Sequence, residues 1–561
     1  MNILLRRPSR ASLARAFLPF LVLSSVHVAS AQIPSSATPT VIVRTAAEPV
    51  APGKFAPTWE SLRQYRVPEW FRDAKFGIWA HWGPQCQPER GDWYAREMYS
   101  PSNDRYAFHV EKYGHPSKFG FKDVIHAWKA ENWDPEKLLA LYERAGAKYF
   151  FALANHHDNF DTWDSKYQPW NAARLGPKKD LIGGWAAAAR KHGMKFGVSV
   201  HAAHAWSWME VAQGADATGP LAGVPYDGKL TKADGKGTWW EGYDPQDLYA
   251  QNHAPSPDFQ TLVKIHSRWH WDNGVTPPDQ AYCEKFYNRT IDLINKYQPD
   301  LIYFDDTALP LWPVSDAGLK IAAHFYNSNG RWRGDDGVMF NKILDAEQRQ
   351  CMAWDIERGS SNVIEPHPWQ TDTCIGSWHY DRRIYDRRGY KSAQTVIHTL
   401  VDVVSKNGNL LLSVPLRGDG TIDEEEFAIV QGIGDWMQIN QEAIHGTRPW
   451  TVLGEGPQMA SAQPLSAQGF NEGKGKPFTA EDVRFTTKGD VLYAIVMGTP
   501  TSPVSIHSLG KKAGLRQAPI GAITLLGSDE KVTWSVTDDA LVIQAPKHVA
   551  NGTAVVFKIT P

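Results

Sequence analysis

From about residue 57 to residue 445 the chain alternates short apolar runs with amphipathic stretches. "KFGIWAHW", "KYFFALANHHD", "KFGVSVHAAH", "DLIYFDD", "CMAWDIERG" and "NLLLSVP" have the character of buried strands, and segments such as "DPEKLLALYERAGA" and "CEKFYNRTIDLINKYQ" carry a helical period between them. A repeated β-α order predicts parallel strands covered by helices. Six such runs, or eight with "GVMFNKI" and "GSWHYD", spread over roughly 390 residues predict a (β/α)8-like TIM barrel with long loops. The competing doubly wound sheet wants a glycine-rich phosphate turn after a strand, and the sequence offers none. Residues 205–280, including "GADATGPLAGVPYDGKLTKADGKG", are polar and glycine-rich, as inserted loops over one barrel face would be. Beyond residue 446 the helical period stops. "DVRFTTKGDVLYAIVMG", "AITLLGSDEKVTWSV", "ALVIQAP" and "TAVVFKI" then predict a small antiparallel β-sandwich over 446–561.

The N-terminus has a different pattern. Residues 1–31 carry Arg6, Arg7, Arg10 and Arg15, then "AFLPFLVLSSV", then "ASAQ", which is the layout of a secretory signal cleaved after Ala31. The Arg6–Arg7 pair hints at twin-arginine export. The apolar stretch is shorter than the roughly 20 residues a membrane span needs, so the expectation is an exported protein, periplasmic or extracellular, without a span. Residues 32–56 are rich in Ser, Thr, Ala and Pro and lack a helical period, so they read as a linker, with the fold starting near Pro57.

Composition narrows the partners. Lys and Arg total 59 against 61 Asp and Glu, so no overall field draws the chain to nucleic acid or anionic lipid, and a neutral partner is expected. The 24 tryptophans supply flat apolar faces that fill a core and also stack on sugar rings. Cys86, Cys283, Cys351 and Cys374 are widely spaced with no C-x-x-C, so neither a zinc ribbon nor a thioredoxin-like motif is supported, and disulfides are permitted but not required.

Side chains alternate along a barrel strand, one set facing the lumen and the other the helices. In "LIYFDD" Ile302 and Phe304 suit the helix side, which turns Leu301, Tyr303 and Asp305 inward. Asp306, followed by Thr307, suits a turn or helix cap. The same parity turns Gly197, Ser199 and His201 inward in "KFGVSVHAAH", and Asp355 and Glu357 inward in "AWDIERG". Polar groups thus converge at the C-terminal strand ends, where active sites of this barrel class lie. The pair His156–His157 and the "HAAH" from His201 to His204 lack the i, i+4 or H-x-H spacing of metal ligands, so no metal is expected. "YDRRIYDRRGYK", residues 380–391, reads as a solvated helix or loop.

Taken together, "AKFGIWAHWG", "DWYAREM", "FALANHHDNFDTWDS", "PDLIYFDD" and "LVDVVSKNGNLLLSVPLRGDGTI" resemble the α-L-fucosidases of glycoside hydrolase family 29, from about Trp59 to Ile422. "DVRFTTKGDVLYAI" is similar to the C-terminal sandwich of that family. The resemblance implies a retaining exo-hydrolase that removes terminal α-L-fucose from fucosylated glycans without a cofactor. It makes His81, His156 and His157 sugar contacts and Asp305 the nucleophile. It also marks departures: Tyr303 stands where the family often has Trp, Asp92-Trp93 where it has Glu-Trp, and "VSVHAAHAW" where paired tyrosines are common, so that His201 or His204 would take over the tyrosine contact. The acid/base is expected on a carboxylate about fifty residues after the nucleophile, which favours Glu357, with Glu365 and Asp355 as alternatives. Two rival functions remain at this point. One is a metal-dependent barrel hydrolase using His156, His157, His201 and Asp305; the other is a catalytically silent sugar-binding protein.

Overall fold

The computed structural model describes residues 33–251, 253–257, 259, 271, 274–465, 469–516 and 518–561. The expected signal at 1–31 lies outside the described residues. Eight strands close into a barrel in chain order, all parallel, with the last pairing back to the first: β1 Phe76–Ala80, β2 Tyr149–Asn155, β3 Lys195–Val200, β4 Leu301–Phe304, β5 Val338–Asn341, β6 Ala353–Glu357, β7 Trp369–Cys374 and β8 Gly408–Ser413. Strands buried on both faces need apolar residues at both parities, which is why β2 reads "YFFALAN" without a polar break before its end. The two parities nevertheless serve different cores. Leu301 and Tyr303 join Trp79, Tyr149, Phe151, Val338, Phe340 and Leu411 in a lumen cluster. Ile302, Phe304, Phe196, Val198 and Val200 join the helix-side core. The lumen holds this many rings because two strands carry glycine where a ring crosses. A Cβ at Gly77 would lie 2.3 Å from the Tyr149 ring, and one at Gly197 2.7 Å from that of Phe151.

The seventh strand is a correction. "WQTDTC" occupies the place expected of "GSWHYD", which instead forms the loop after it. Gln370 and Asp372 face the lumen from β7 and break the apolar run that would have marked a strand.

The covering helices used here are α1 Pro135–Arg144, α2 Leu181–Lys191, α3 Gln280–Tyr297, α4 Ala317–Arg333, α5 Ala393–Ser405 and α6 Glu424–Asn440. α3 shows how the local sequence sets an element. Asp279 caps its start by accepting from Tyr282 N at 2.8 Å, a contact worth about 1 kcal/mol. Phe286, Ile291, Leu293, Ile294 and Tyr297 are among the residues that bury its inner stripe, and Gln298 in the left-handed region (φ 47°) ends it.

The segment expected as a linker is packed along α4. Val43, Ala51 and Phe55 are buried. Asn327 of α4 accepts from Phe55 N at 2.9 Å and donates to the Ala51 and Phe55 carbonyls at 2.8 and 2.9 Å, while His324 Nδ1 accepts from Ala51 N at 3.0 Å. The segment has no helical period because it is extended chain whose backbone is satisfied by helix side chains.

The C-terminal region has two antiparallel sheets. The larger runs β13 (Ala522–Leu525), β16 (Val555–Thr560), β11 (Val491–Val496), β10 (Val483–Lys488), β9 (Arg448–Glu455); the smaller runs β12 (Val504–Ile506), β15 (Leu541–Ile543), β14 (Trp534–Val536). Alternation gives the larger sheet two jobs. Leu492, Ala494 and Val496 enter the sandwich core, whereas Tyr493 and Ile495 enter the barrel core. Trp436 Nε1 of α6 also donates to Ala554 O at 2.8 Å, so the sandwich is fastened to the barrel flank. All four cysteines are free and buried. No helix among the described residues is long and apolar enough to cross a membrane.

Candidate active site

β4 ends at Phe304, and the next residue in lumen register is Asp305. Its Oδ2 lies 3.2 Å from His157 Nε2, beyond β2, and 3.2 Å from His201 Nδ1, just past β3. Its Oδ1 accepts from Lys342 Nζ at 2.6 Å, and Lys342 directly follows β5. The same ammonium also donates to Glu357 Oε2 at the end of β6. Five consecutive strands, β2 to β6, therefore supply one cluster, in which Asp305 and Glu357 each retain 8% exposure at the cavity wall. Two carboxylate oxygens bonded to one nitrogen can be no further apart than two hydrogen-bond lengths, about 6 Å.

Parity between Asp305 and Asp306 resolves as the sequence predicts. Asp306 is turned from the cluster, with Oδ1 accepting from Thr307 N at 2.7 Å and 3.2 Å from His204 Nε2. Among the three acid/base candidates only Glu357 reaches the cavity with Asp305. Asp355 lies deeper in the lumen, its Oδ2 accepting from Gln370 Nε2 at 2.9 Å. Glu365 sits outside the cluster, accepting from Ser361 Oγ at 2.6 Å.

His81, His156 and His201 line the cavity together with Trp79, Trp93 and Trp378. The Trp79 ring centre is 5.1 Å from that of Tyr303 and 5.5 Å from that of Trp378, which makes an aromatic floor and wall. Tyr303 contributes only its ring, since its hydroxyl donates downward to Asp372 Oδ2 at 3.1 Å. Asp92 borders the cavity but spends its oxygens on the loop after β7. Oδ1 accepts from His379 N at 2.7 Å and His379 Nδ1 at 3.1 Å, and Oδ2 accepts from Ser377 Oγ at 2.8 Å and Trp378 N at 3.2 Å. Its place in the site is thus to seat Trp378 and His379. Trp93 next to it adopts φ 62°, a left-handed conformation costly for a bulky residue and concentrated at functional sites.

The ionisation states divide sharply. Burial alone would raise the Asp305 pKa, but Lys342 and the hydrogen bonds from His157 and His201 hold it well below the usual carboxylate range. Burial pushes Glu357 up to about 7, helped by Asp372 and Asp305 and opposed by Lys342. Burial would discharge Lys342, yet Asp305 and Glu357 keep its pKa well above that of an ordinary lysine. Burial, with His379 and His201 beside His81 and His157 and His379 beside His156, holds both rings well below the usual imidazole range, and burial brings His201 down to about 4. These three rings are neutral hydrogen-bonding groups at pH 7.

Two groups of imidazoles, His81 with His156 and His379, and His156 with His157 and His201, bring ring nitrogens within 4.8 Å of one another. Their tautomers suit hydroxyl recognition. Gln85 has its Oε1 held by Ala95 N at 3.3 Å, so its Nε2 donates to His156 Nδ1 at 2.8 Å and leaves the proton of His156 on Nε2. His81 Nδ1, His201 Nε2 and His379 Nε2 are buried without a protein partner. Unpaired buried polar atoms are costly unless a bound molecule satisfies them.

Lys342, Trp79, Asp372, Trp378 and His379 were not singled out in the sequence. For Lys342 the signal was present, because Val338, Phe340 and Lys342 share the lumen parity of "GVMFNKI".

A carboxylate held ionised and one whose pKa is raised to about 7, lining a single cavity at the C-terminal mouth of an eight-stranded barrel, define a barrel glycoside hydrolase. The chain belongs to the alpha-L-fucosidase family. The family profile matches residues 42–442, and the profile of the alpha-L-fucosidase C-terminal domain matches residues 476–560. The chain is 25% identical to an alpha-L-fucosidase of Branchiostoma floridae over 504 residues, covering 89% of this chain and 93% of that protein. In fold it is similar to the Thermotoga maritima alpha-fucosidase solved in complex with fucose, at 24% identity and TM-score 0.66, covering 90% of this chain and 100% of that one. It is likewise similar to an alpha-L-fucosidase from Bacteroides thetaiotaomicron solved as a trapped covalent intermediate, at 16% identity and TM-score 0.56, covering 94% of this chain and 99% of that one.

Proposed function

We propose that this chain is a retaining exo-α-L-fucosidase in which Asp305 is the nucleophile and Glu357 the acid/base. The shared ammonium of Lys342 carries the proposal. A retaining enzyme needs its carboxyls about 5–5.5 Å apart, an inverting one 6.5–9.5 Å, and two oxygens bonded to one nitrogen lie too close for the inverting separation. Asp305 attacks the anomeric carbon while the glycosidic bond breaks and Glu357 gives its proton to the departing oxygen. Glu357, now a carboxylate, takes a proton from water as that water attacks the anomeric carbon and frees Asp305. The ring nitrogens of His81, His156, His201 and His379 meet the sugar hydroxyls, and Trp79, Trp93 and Trp378 offer an apolar wall for a methyl group. A deoxy sugar with a methyl in place of a hydroxymethyl fits that division. The fucose-bound relative and the trapped covalent intermediate support the substrate and the double displacement. The basic, apolar and small-residue pattern of 1–31 supports export.

Proton NMR of aryl α-L-fucoside hydrolysis tests the reading. The first-formed sugar is expected as the α-anomer, and a first-formed β-anomer overturns retention. Turnover that survives prolonged chelation is expected; loss on chelation with recovery on metal addition supports the metal-dependent reading that the clustered imidazoles allow.

A further inference from the structure

The end of β6 that carries Glu357 is completed by a segment from outside the barrel. Pairing of β5 with β6 stops at Trp354. Beyond that point Glu357 keeps Asp372 of β7 as a partner and gains Gly469, from the connection between β9 and β10 of the C-terminal region, as a second parallel partner. Phe470 N donates to Glu357 O at 2.9 Å, Glu472 N donates to Arg358 O at 3.0 Å, and Arg358 N donates across to Asp372 O at 2.8 Å. The main chain at the acid/base is therefore held between the barrel and the appended domain.

Three features show that this contact is built rather than incidental. A Cβ at Gly469 would lie 2.4 Å from the Glu357 carbonyl oxygen, and the backbone there has φ 111°, so glycine alone permits the approach. Arg358 at φ 46° and Phe470 at φ 50° face one another in the left-handed region, which side-chain-bearing residues hold only where their surroundings dictate it. The side chains then lock the turn. Asn471 accepts from Ser360 N at 2.9 Å and donates to Ser360 O at 3.0 Å. Glu472 accepts from Thr373 Oγ1 at 2.9 Å and from Lys391 Nζ at 2.6 Å, tying the same segment to β7 and to the chain entering α5.

We propose that Gly469–Glu472 is a positioning strap through which the C-terminal domain sets the aim of the Glu357 carboxyl. This rests on Glu357 being the acid. The strap reaches the cavity through the main chain of Glu357, so loosening it should misplace the proton donor while leaving sugar recognition intact. Misplacement of a reacting group by about 1 Å is enough to cost on the order of 100-fold in rate.

The test uses the full chain carrying Glu472→Gln, Asn471→Ala or Gly469→Ala, with Glu472→Asp as the conservative control and Glu357→Ala in parallel. Each is assayed on an activated nitrophenyl fucoside and on an alkyl fucoside, because only the poor leaving group needs its proton in the transition state. The expected result is a kcat loss of about 10- to 100-fold on the alkyl substrate and less than about 3-fold on the nitrophenyl one, at unchanged inhibition by free fucose, with partial recovery in Glu472→Asp. Equal losses on both substrates, or none, in variants that retain the parental melting temperature overturn the strap while Glu357→Ala still discriminates the leaving groups. If Glu357→Ala itself fails to discriminate them, the acid assignment falls and the strap with it. Should Gly469→Ala not fold, Glu472→Gln and Asn471→Ala decide.

Discussion

At the scale of single residues, the decisive arrangement is one cation shared by two acids with different jobs. Lys342 is close to both, so it cannot by itself make their pKa values differ. The difference comes from what each carboxyl meets on its other side. Asp305 receives hydrogen bonds from His157 and His201, whereas Glu357 faces Asp372 as its register partner on β7. Asp372 is itself raised, by burial above all, and bonded from Tyr303, and it adjoins Asp355, which burial and Asp372 hold well above the usual range. A negative Asp372 disfavours the Glu357 anion, so Asp372→Asn should lower the Glu357 pKa from about 7 and move the alkaline limb of the kcat/KM profile toward acid. The groups facing Glu357 are Lys342, Asp305 and Asp372, and only the last is removed by this change. A limb that stays in place, measured between pH 4 and 9, would show that Asp372 does not tune the acid. Parity turned Asp305 and Glu357 inward in the sequence, because each ends a run whose apolar residues fix which face is inward, but it turned Asp355 inward too, and the preference for Glu357 came from the family resemblance. Asp92 was legible as a site residue but not as the seat of Trp378 and His379, since its partners lie on a loop 285 to 287 positions away.

At the scale of elements, the strands that were legible carry apolar residues on the helix side even where the lumen side is polar, as Trp354 and Ile356 do beside Asp355 and Glu357 in β6. β7 was displaced by one segment because its inward positions, Gln370 and Asp372, belong to the polar network beneath the site. Residues 33–56 were misread for a related reason: a periodicity test sees only faces, and an extended segment satisfied by side chains from elsewhere has none. Asn327 makes this concrete, since its one amide serves Phe55 N and two carbonyls. Asn327→Leu leaves buried backbone groups unpaired and should destabilise the fold by about 3 kcal/mol, read as a lower urea midpoint with an unchanged slope. Activity at 20 °C should persist, because α4 lies on the helix side of the barrel, away from the cavity. A midpoint within error of the parent would mean the segment is only loosely held.

At the scale of the whole molecule, the sandwich and barrel share a core, and charge is buried where they meet. Arg484 of β10 is fully buried, donating through Nε to Asp402 Oδ1 at 2.8 Å and through a terminal nitrogen to Gln458 at 2.6 Å. Asp402 on α5 also accepts from Lys406 at 2.6 Å. Burial would raise the Asp402 pKa, but Lys406 and Arg484 bring it down to about 2. A depressed carboxyl contributes stability above its unfolded value near 3.9, and that contribution is lost as pH falls through about 2. Arg484→Met keeps the volume but leaves the Asp402 anion with Lys406 alone. Removing one partner of a buried pair costs on the order of 3–5 kcal/mol when the other stays charged. The penalty should therefore be full at pH 7 and should shrink as pH approaches 3, where the variant's Asp402, with its pKa no longer held down by Arg484, takes up a proton that the parent's does not. Urea unfolding of parent and variant at pH 7, 5 and 3 checks this. A penalty independent of pH would assign the role of Arg484 to packing against Phe478, 4.8 Å away, rather than to the ion pair. A sandwich fastened by a charge network at this depth unfolds with the barrel, so tryptophan fluorescence and loss of activity should trace one transition in the parent at pH 7.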